Sequence, residues 1–222
     1  MVPGARLVIL GRQGAGKGTQ CMRLARHYVV PHVSTGDIFR ASVKAGSEFG
    51  LRAEEYMLAG KLVPDEIVVG VVRERLCQRD ARARGFVLDG FPRTAAQAEA
   101  LDEMLEDEGM PLDLTIDLEI DEEDALRRLA DRRVCSTCAT IYSIARPPAI
   151  DWTCDNCGGE VVQRLDDTEE AIRMRLADYN ALTTPLIDWY EKRDSLVRID
   201  AIGSPDDVLR RLVSAIDSRK LR

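Results

Sequence analysis

The chain has 222 residues, of which 45% are hydrophobic, 31% charged and only 5% aromatic. That is enough apolar material for a folded core and excludes a disordered or fibrous chain, with aliphatic side chains filling the interior. The 31 Lys and Arg against 38 Asp and Glu give a formal charge of -7. This excludes a global basic footprint for nucleic acid while leaving room for a local arginine cluster.

Taken in order, Met1 to Arg6 carries none of the cationic segment, apolar stretch and cleavage site of a signal peptide. No apolar run reaches membrane-spanning length, so a soluble, cytoplasmic protein is expected. Leu7-Val8-Ile9-Leu10 reads as a buried strand and leads into Gly11-Arg12-Gln13-Gly14-Ala15-Gly16-Lys17-Gly18-Thr19, then the helical run from Gln20 to Ala25. Strand, glycine-rich turn and helix is the arrangement that curls successive backbone N–H groups around a phosphate at a helix N-terminus, with Lys17 reaching the outer phosphates. Pro31 to Ser34, Phe86 to Asp89, Leu114 to Leu118 and Leu196 to Asp200 read as further strands, covered on both faces.

Between the strands lie helical patterns. Asp65 stands as the N-cap of a helix carrying Ile67, Val68, Val71, Val72 and Leu76. Thr94 with Gln97 has capping-box form, Asp121 precedes Ala125, Leu126 and Leu129, and Ser204-Pro205-Asp206-Asp207 opens the last helix. Asp167 with Glu170 forms a further capping pair. Strands alternating with helices define an α/β protein, a P-loop three-layer fold with a central five-stranded parallel sheet. Two stretches interrupt that rhythm: 34–63, with helical and loop signals only, and 131–167, which holds most of the cysteines. They read as insertions into a core formed by 1–33, 64–130 and 168–222.

Four of the six cysteines make Cys135-x2-Cys138-x15-Cys154-x2-Cys157, the spacing of a four-thiolate zinc site; four thiolates leave no open position, so such a zinc is structural. Two disulfides or free thiols are the alternative. Gly158-Gly159 allows the turn after the second pair, and Tyr142, Ile144, Ile150 and Trp152 are the candidate core of this small lobe. His27 and His32 match no ligand spacing and read as structural, and Cys21 and Cys77 as buried thiols.

At Gly16-Lys17-Gly18-Thr19 the loop resembles that of nucleoside monophosphate kinases. Ser34-Thr35-Gly36-Asp37-Ile38-Phe39-Arg40, Gly60-Lys61-Leu62-Val63, Asp89-Gly90-Phe91-Pro92-Arg93-Thr94, Arg132-Arg133-Val134 and Arg164-Leu165-Asp166-Asp167 extend the resemblance to the adenylate kinase family from Leu7 to about Asp200. Gln13 stands where proline is common in that family, and Asp131 where glycine is common. The resemblance implies reversible phosphoryl transfer from ATP to AMP, giving two ADP, with Mg²⁺. It also implies a monophosphate-binding segment at 34–63, a mobile lid with Zn²⁺ at 131–167, and a monomer without nucleic-acid or membrane partners.

By that resemblance, Gly14, Ala15, Gly16, Lys17, Gly18, Thr19 and Arg132 hold ATP, with Ile141 and Tyr142 along its base. Thr35, Arg40, Lys61, Leu62, Val63, Gly90, Arg93 and Gln97 hold AMP. Arg164 closes with Arg132 on the ATP phosphates and also reaches AMP, and Arg175, on the AMP side, reaches the transferring group, with Arg128 a weaker candidate for that role. The acceptor is already an ionised oxygen, so the chemistry needs positioning and cations rather than a base, and guanidinium groups fork onto phosphate oxygens. Taken individually, each arginine, Arg175 above all, also fits a solvated helix face. Asp89 fits either a Mg²⁺-orienting carboxylate or a loop N–H acceptor, Gln97 either a base contact or a helix cap, and Ile141 and Tyr142 also fit lid packing; to the capping role of Asp167 the resemblance adds a lid-hinge contact. UMP or CMP as acceptor is the nearest rival reading; a P-loop switch using a zinc ribbon on nucleic acid, or an inactive nucleotide sensor, are the more distant ones.

Overall fold

The computed structural model describes residues 4–220; Met1 to Pro3, Leu221 and Arg222, which fall in segments read above, lie outside the described residues. The chain runs β1 (Ala5–Gly11), α1 (Lys17–Tyr28), β2 (His32–Ser34), α2 (Thr35–Lys44), α3 (Glu48–Leu58), α4 (Asp65–Leu76), α5 (Arg79–Arg84), β3 (Gly85–Asp89), α6 (Ala95–Asp107) and β4 (Leu114–Glu119). It continues with α7 (Glu122–Asp131), β5 (Arg132–Cys135), β6 (Ile141–Ser143), β7 (Val161–Val162), α8 (Glu169–Asp178), a π-helical turn (Tyr179–Thr183), α9 (Thr184–Glu191), β8 (Leu196–Asp200) and α10 (Pro205–Lys220).

Five parallel strands in the order β2-β3-β1-β4-β8 form the central sheet. Side chains of a strand alternate between faces, and the continuous apolar runs therefore feed two cores. Val8, Leu10, Phe86 and Leu88 join residues of α4, α6 and α9 on one face. Leu7, Ile9, Val87, Leu114 and Ile116 join α1 and α10 on the other. All five strands expected from the sequence are present, each within one or two residues of its expected limits. In such sheets ligands bind beyond the carboxyl ends of the strands, where the chain order reverses. Here β1 is that strand, with β3 on one side and β4 on the other.

The interruptions expected at 34–63 and 131–167 contain the α2–α3 pair and a separate antiparallel sheet of order β6-β5-β7. That small sheet buries Cys135, Cys154 and Val161, with Tyr142 packed against them. Ile144, Ile150 and Trp152 do not supply its core: they are 51%, 70% and 37% exposed, because three short strands have no second layer to cover them.

Thr94, Asp121 and Ser204 cap α6, α7 and α10 as the sequence predicts, Ser204 and Asp207 reciprocally. Two other caps differ. Pro64 precedes α4, and Asp65 is already in its first turn, where its carboxylate accepts from Thr94 and Gln97 instead of the helix N–H groups. The cap of α8 is Thr168, whose hydroxyl accepts from Ala171 N. Asp167 is drawn away from that role by ion pairing with Arg132 and Arg175. Cys77, expected to be buried, is half-buried at the end of α4, while Cys21 is fully buried. Among the described residues no helix is long and apolar enough to cross a membrane.

Candidate active site

The turn after β1 reaches the N-terminus of α1 through three residues with positive φ, Gly11, Gly14 and Gly16. Gly14 is needed for space as well: a Cβ there would meet Ala125 O at 2.5 Å. Lys17 stands at the first helical position, and its Nζ donates back across the turn to Gly11 O at 2.5 Å and Arg12 O at 2.8 Å. Burial lowers the Lys17 pKa from 10.5 to about 8, against the pull of Asp89. A desolvated cation at a glycine-rich turn that opens a helix N-terminus is a strong anion site.

That turn opens into a cleft of about 1160 Å³. The cleft is lined by every residue that the sequence reading put near a nucleotide: Gly14 to Thr19, Thr35, Arg40, Lys61 to Val63, Asp89, Gly90, Arg93, Gln97, Arg128, Arg132, Ile141, Tyr142, Arg164 and Arg175. The guanidinium groups arrive from separate parts of the fold: Arg40 from α2, Arg93 after β3, Arg132 from β5, Arg164 after β7, and Arg175 from α8. Burial, opposed by Asp89 and reinforced by Arg175, Arg40 and Arg164, lowers the Arg93 pKa. Arg40 is lowered by burial and by Arg164. The cations therefore repel one another across the cleft, which favours an anion between them.

Two carboxylates hold this cluster in register. Asp167, its side chain fully buried, takes Arg132 through both oxygens (2.8 and 2.5 Å) and Arg175 at 3.3 Å. Asp166 takes Arg164 (3.0 and 2.6 Å) and Arg175 (2.6 Å). Burial would raise Asp166, but Arg164 and Arg175 hold its carboxyl far below the usual carboxylate range. The family resemblance offers a lid-hinge contact for Asp167, but neither its partners nor the role of Asp166 is read from the sequence. The signal for the clamp was two adjacent acids, two residues after an arginine, followed by a threonine better suited to cap the next helix.

Other members are fixed by local bonds. Arg93 Nε donates to Gly90 O at 2.8 Å, Thr183 Oγ1 donates to Arg93 O at 3.0 Å, and Thr35 Oγ1 donates to Gly90 O at 3.1 Å. Arg128, on α7, donates to Ala201 O at 3.1 Å. Asp89 ends β3, with Oδ2 3.4 Å from His32 Nε2. Burial would raise its pKa, yet His32 and the charges of Lys17 and Arg93 hold it below the usual range. His32, read as merely structural, thus touches the site through Asp89. From the small sheet, Ile141 stands over Gly18, and Lys44 Nζ of α2 donates to Ser136 O at 3.2 Å.

The four cysteines converge. All four sulfurs lie within 4.8 Å of one another, with Cys135 and Cys157 at 3.5 Å and Cys138 and Cys154 at 3.6 Å. Four sulfurs about 2.3 Å from one ion would stand roughly 3.8 Å apart, whereas a disulfide would need about 2.05 Å. Thr137 N, Cys138 N, Asn156 Nδ2 and Tyr142 OH donate to these sulfurs, as suits charged thiolates. A Cβ on Gly159 would come within 3.0 Å of Cys135 Sγ, so the knuckle requires glycine there. The donor set and its spacing fit a four-coordinate zinc ion.

A parallel sheet with a phosphate-binding turn after its central strand, and half-buried arginines lining the same cleft, defines a P-loop protein shaped for more than one phosphorylated group. The adenylate kinase family model matches residues 9–195. The chain is 48% identical to the adenylate kinase of Thermodesulfovibrio yellowstonii over 215 residues, 96% of this chain and all of that one. It is 47% identical to that of Streptomyces griseus (95% of this chain, 97% of the other) and 45% to that of Acetivibrio thermocellus (97% and 100%). The chain belongs to the adenylate kinase family.

Proposed function

We infer that this chain transfers the γ-phosphoryl group of ATP to the phosphate of AMP, reversibly, and so balances the adenine nucleotides. The observation that carries this is the opposition of Lys17 and its turn to five arginines across one cleft. A switch that only hydrolyses its nucleotide has no use for a second ring of phosphate-sized cations.

In the forward direction an oxygen of the AMP phosphate bonds to the γ-phosphorus and the bond to the ADP bridging oxygen breaks. No proton is transferred, and the protein's task is alignment and charge. Lys17 and the N–H groups from Gly14 to Thr19 hold the donor phosphates, with Arg132 from the far side. Arg40 and Arg93 hold the acceptor phosphate. Arg164 and Arg175 lie between the two and meet the charge of the moving group. Ile141 and Tyr142 face the donor base, while Thr35, Lys61, Leu62, Val63, Gly90 and Gln97 surround the acceptor nucleoside. Mg²⁺ arrives with the triphosphate and spreads the charge of its outer oxygens. The Thr19 hydroxyl and the Asp89 carboxylate, both on the cleft wall, suit its hydrated shell.

Residues 34–63 act as the acceptor-binding unit and 131–167 as a lid on the core, with Zn²⁺ as the lid's structural staple and no role in transfer. The lid excludes water that would otherwise accept the phosphoryl group. The enzyme works as a cytoplasmic monomer without nucleic-acid or membrane partners. Incubation with MgATP and each monophosphate, following the diphosphates in both directions, tests the assignment: AMP is the preferred acceptor. Donor binding without transfer to any monophosphate would sink it. Lys17→Met lowers kcat/KM for transfer by about 10³ and leaves the metal content unchanged.

A further inference from the structure

An unanchored glutamine amide cannot tell adenine from guanine. Turned one way it donates to adenine N1 and accepts from N6; turned over, it accepts from guanine N1–H and donates to O6. Both ends of an amide are otherwise equivalent in shape. Something must hold the amide in one sense for Gln97 to select a base.

In this structure Gln97 is held from both ends and is 1% exposed. Its Oε1 accepts from the backbone N–H of Arg93 at 2.8 Å, and its Nε2 donates to Asp65 Oδ1 at 2.7 Å. Asp65 is held in turn, since its Oδ2 accepts from Thr94 Oγ1 at 2.9 Å while that oxygen caps α6 by accepting from Gln97 N at 3.2 Å. A carboxylate offers acceptors only. Turning the amide over would set Oε1 against Asp65 and Nε2–H against Arg93 N–H, losing two buried hydrogen bonds, one of them to a carboxylate. What remains for a ligand is the second N–H of Nε2 and a lone pair of Oε1 in a fixed sense.

We propose that Asp65 is a specificity-determining positioning residue, whose carboxylate fixes the Gln97 amide so that the acceptor site takes bases with an acceptor ring nitrogen beside an exocyclic donor and rejects those of opposite polarity. Asp65 acts through Gln97 and touches no substrate. The proposal rests on the assignment of AMP as acceptor above. It also explains why Asp65 does not cap its own helix: the carboxylate is committed across to α6.

The test uses the zinc-loaded enzyme and four acceptors: AMP, GMP, purine ribonucleoside 5′-monophosphate (acceptor N1, hydrogen at C6) and inosine 5′-monophosphate (N1–H, O6). With the unaltered protein, kcat/KM for the purine ribonucleotide exceeds that for the inosine one by at least tenfold, although the latter alone has an exocyclic group to bond. Asp65→Asn, whose amide can turn to accept or donate, narrows the AMP to GMP ratio at least fivefold. A residue that merely braced the fold would change both acceptors alike. Equal use of the purine and inosine nucleotides by the unaltered enzyme overturns the proposal, and that comparison stands even if Asp65→Asn fails to fold. An unchanged AMP to GMP ratio in folded Asp65→Asn overturns it too. Absence of transfer to AMP in the unaltered protein would instead bring down the assignment of function, and the proposal with it.

Discussion

Leu101 in α6 and Ile150, between β6 and β7, are both large aliphatics, yet the first is fully buried and the second 70% exposed. The difference reflects how each region is held together. The parallel sheet has helices on both faces and feeds two aliphatic cores through the alternation of its strands. The small antiparallel sheet has no covering layer, and its buried cluster consists mainly of two of the four converging cysteines and Val161. One region gains stability from apolar area; the other concentrates it in four sulfur atoms. Both deliver cations to the same cleft, so local cohesion, and not only the active-site residues, decides whether the arginine ring stays closed.

The largest expected effect comes from removing the staple. Structural zinc in small domains contributes on the order of 10 kcal/mol to their folding. Stripping the metal with a chelator, or Cys157→Ser, releases amide-exchange protection across 132–162 while β1, β3 and β4 keep theirs. Equal loss in both regions would mean that the small sheet is held by the core and not by its cysteines. Next in size is the matched pair of truncations. Leu101→Ala lowers global stability by about 4 kcal/mol through an unfilled cavity, and Ile150→Ala by less than about 0.5 kcal/mol. Thermal or denaturant unfolding of the metal-loaded protein measures both, and a comparable loss at Ile150 would refute the contrast.

Between the two regions lies the Asp167 clamp, joining Arg132 of β5 to Arg175 of α8. Removing one partner of a buried pair leaves the others uncompensated. Asp167→Ala costs about 3 kcal/mol by that reckoning and lowers kcat/KM through a misaligned Arg132. Asp167→Asn, which keeps the shape and one acceptor oxygen, loses less. An Asp167→Ala protein with unaltered melting temperature and turnover would show the clamp to be incidental.

The two regions were not equally legible from sequence. In the core, continuous apolar runs, the glycine-lysine turn and the caps at Thr94, Asp121 and Ser204 are local signals, and each element formed where its own residues favoured it. In the small sheet the cysteine spacing was legible for the same reason. What escaped was relational. Nothing in the neighbourhood of Asp65 reveals that its carboxylate turns toward Thr94 and Gln97, 29 and 32 residues away. Asp167 satisfies a capping pattern, yet two arginines outcompete a helix N–H for it. Ile150 and Trp152 looked like core because apolar residues usually are, but whether a residue is covered depends on a second layer that the segment does not carry. His32 had no ligand spacing, and only the pairing of β2 with β3 sets it against Asp89.

Both regions contribute arginines, but only the core adds a cation that titrates near neutrality, and pH singles it out. The small sheet and its flanks supply arginines, which stay charged throughout the working range. The core supplies Arg93 and Arg175 and, beside them, Lys17, whose pKa burial lowers to about 8. Below that value the free protein already carries the charge that meets the donor phosphates. Above it the ammonium is mostly deprotonated, and a bound polyphosphate, which favours the charged form, must draw a proton back from solvent. Donor affinity is therefore nearly flat below about pH 7 and falls by about 25-fold from pH 7.5 to 9.5, each tenfold corresponding to about 1.4 kcal/mol. The slope approaches one proton per nucleotide bound. Titration of ATP at fixed ionic strength, with proton uptake followed calorimetrically in buffers of different ionisation enthalpy, measures both quantities. Affinity that stayed level to pH 9.5 without proton uptake would mean that the arginines alone carry donor binding and that the buried lysine is already paired.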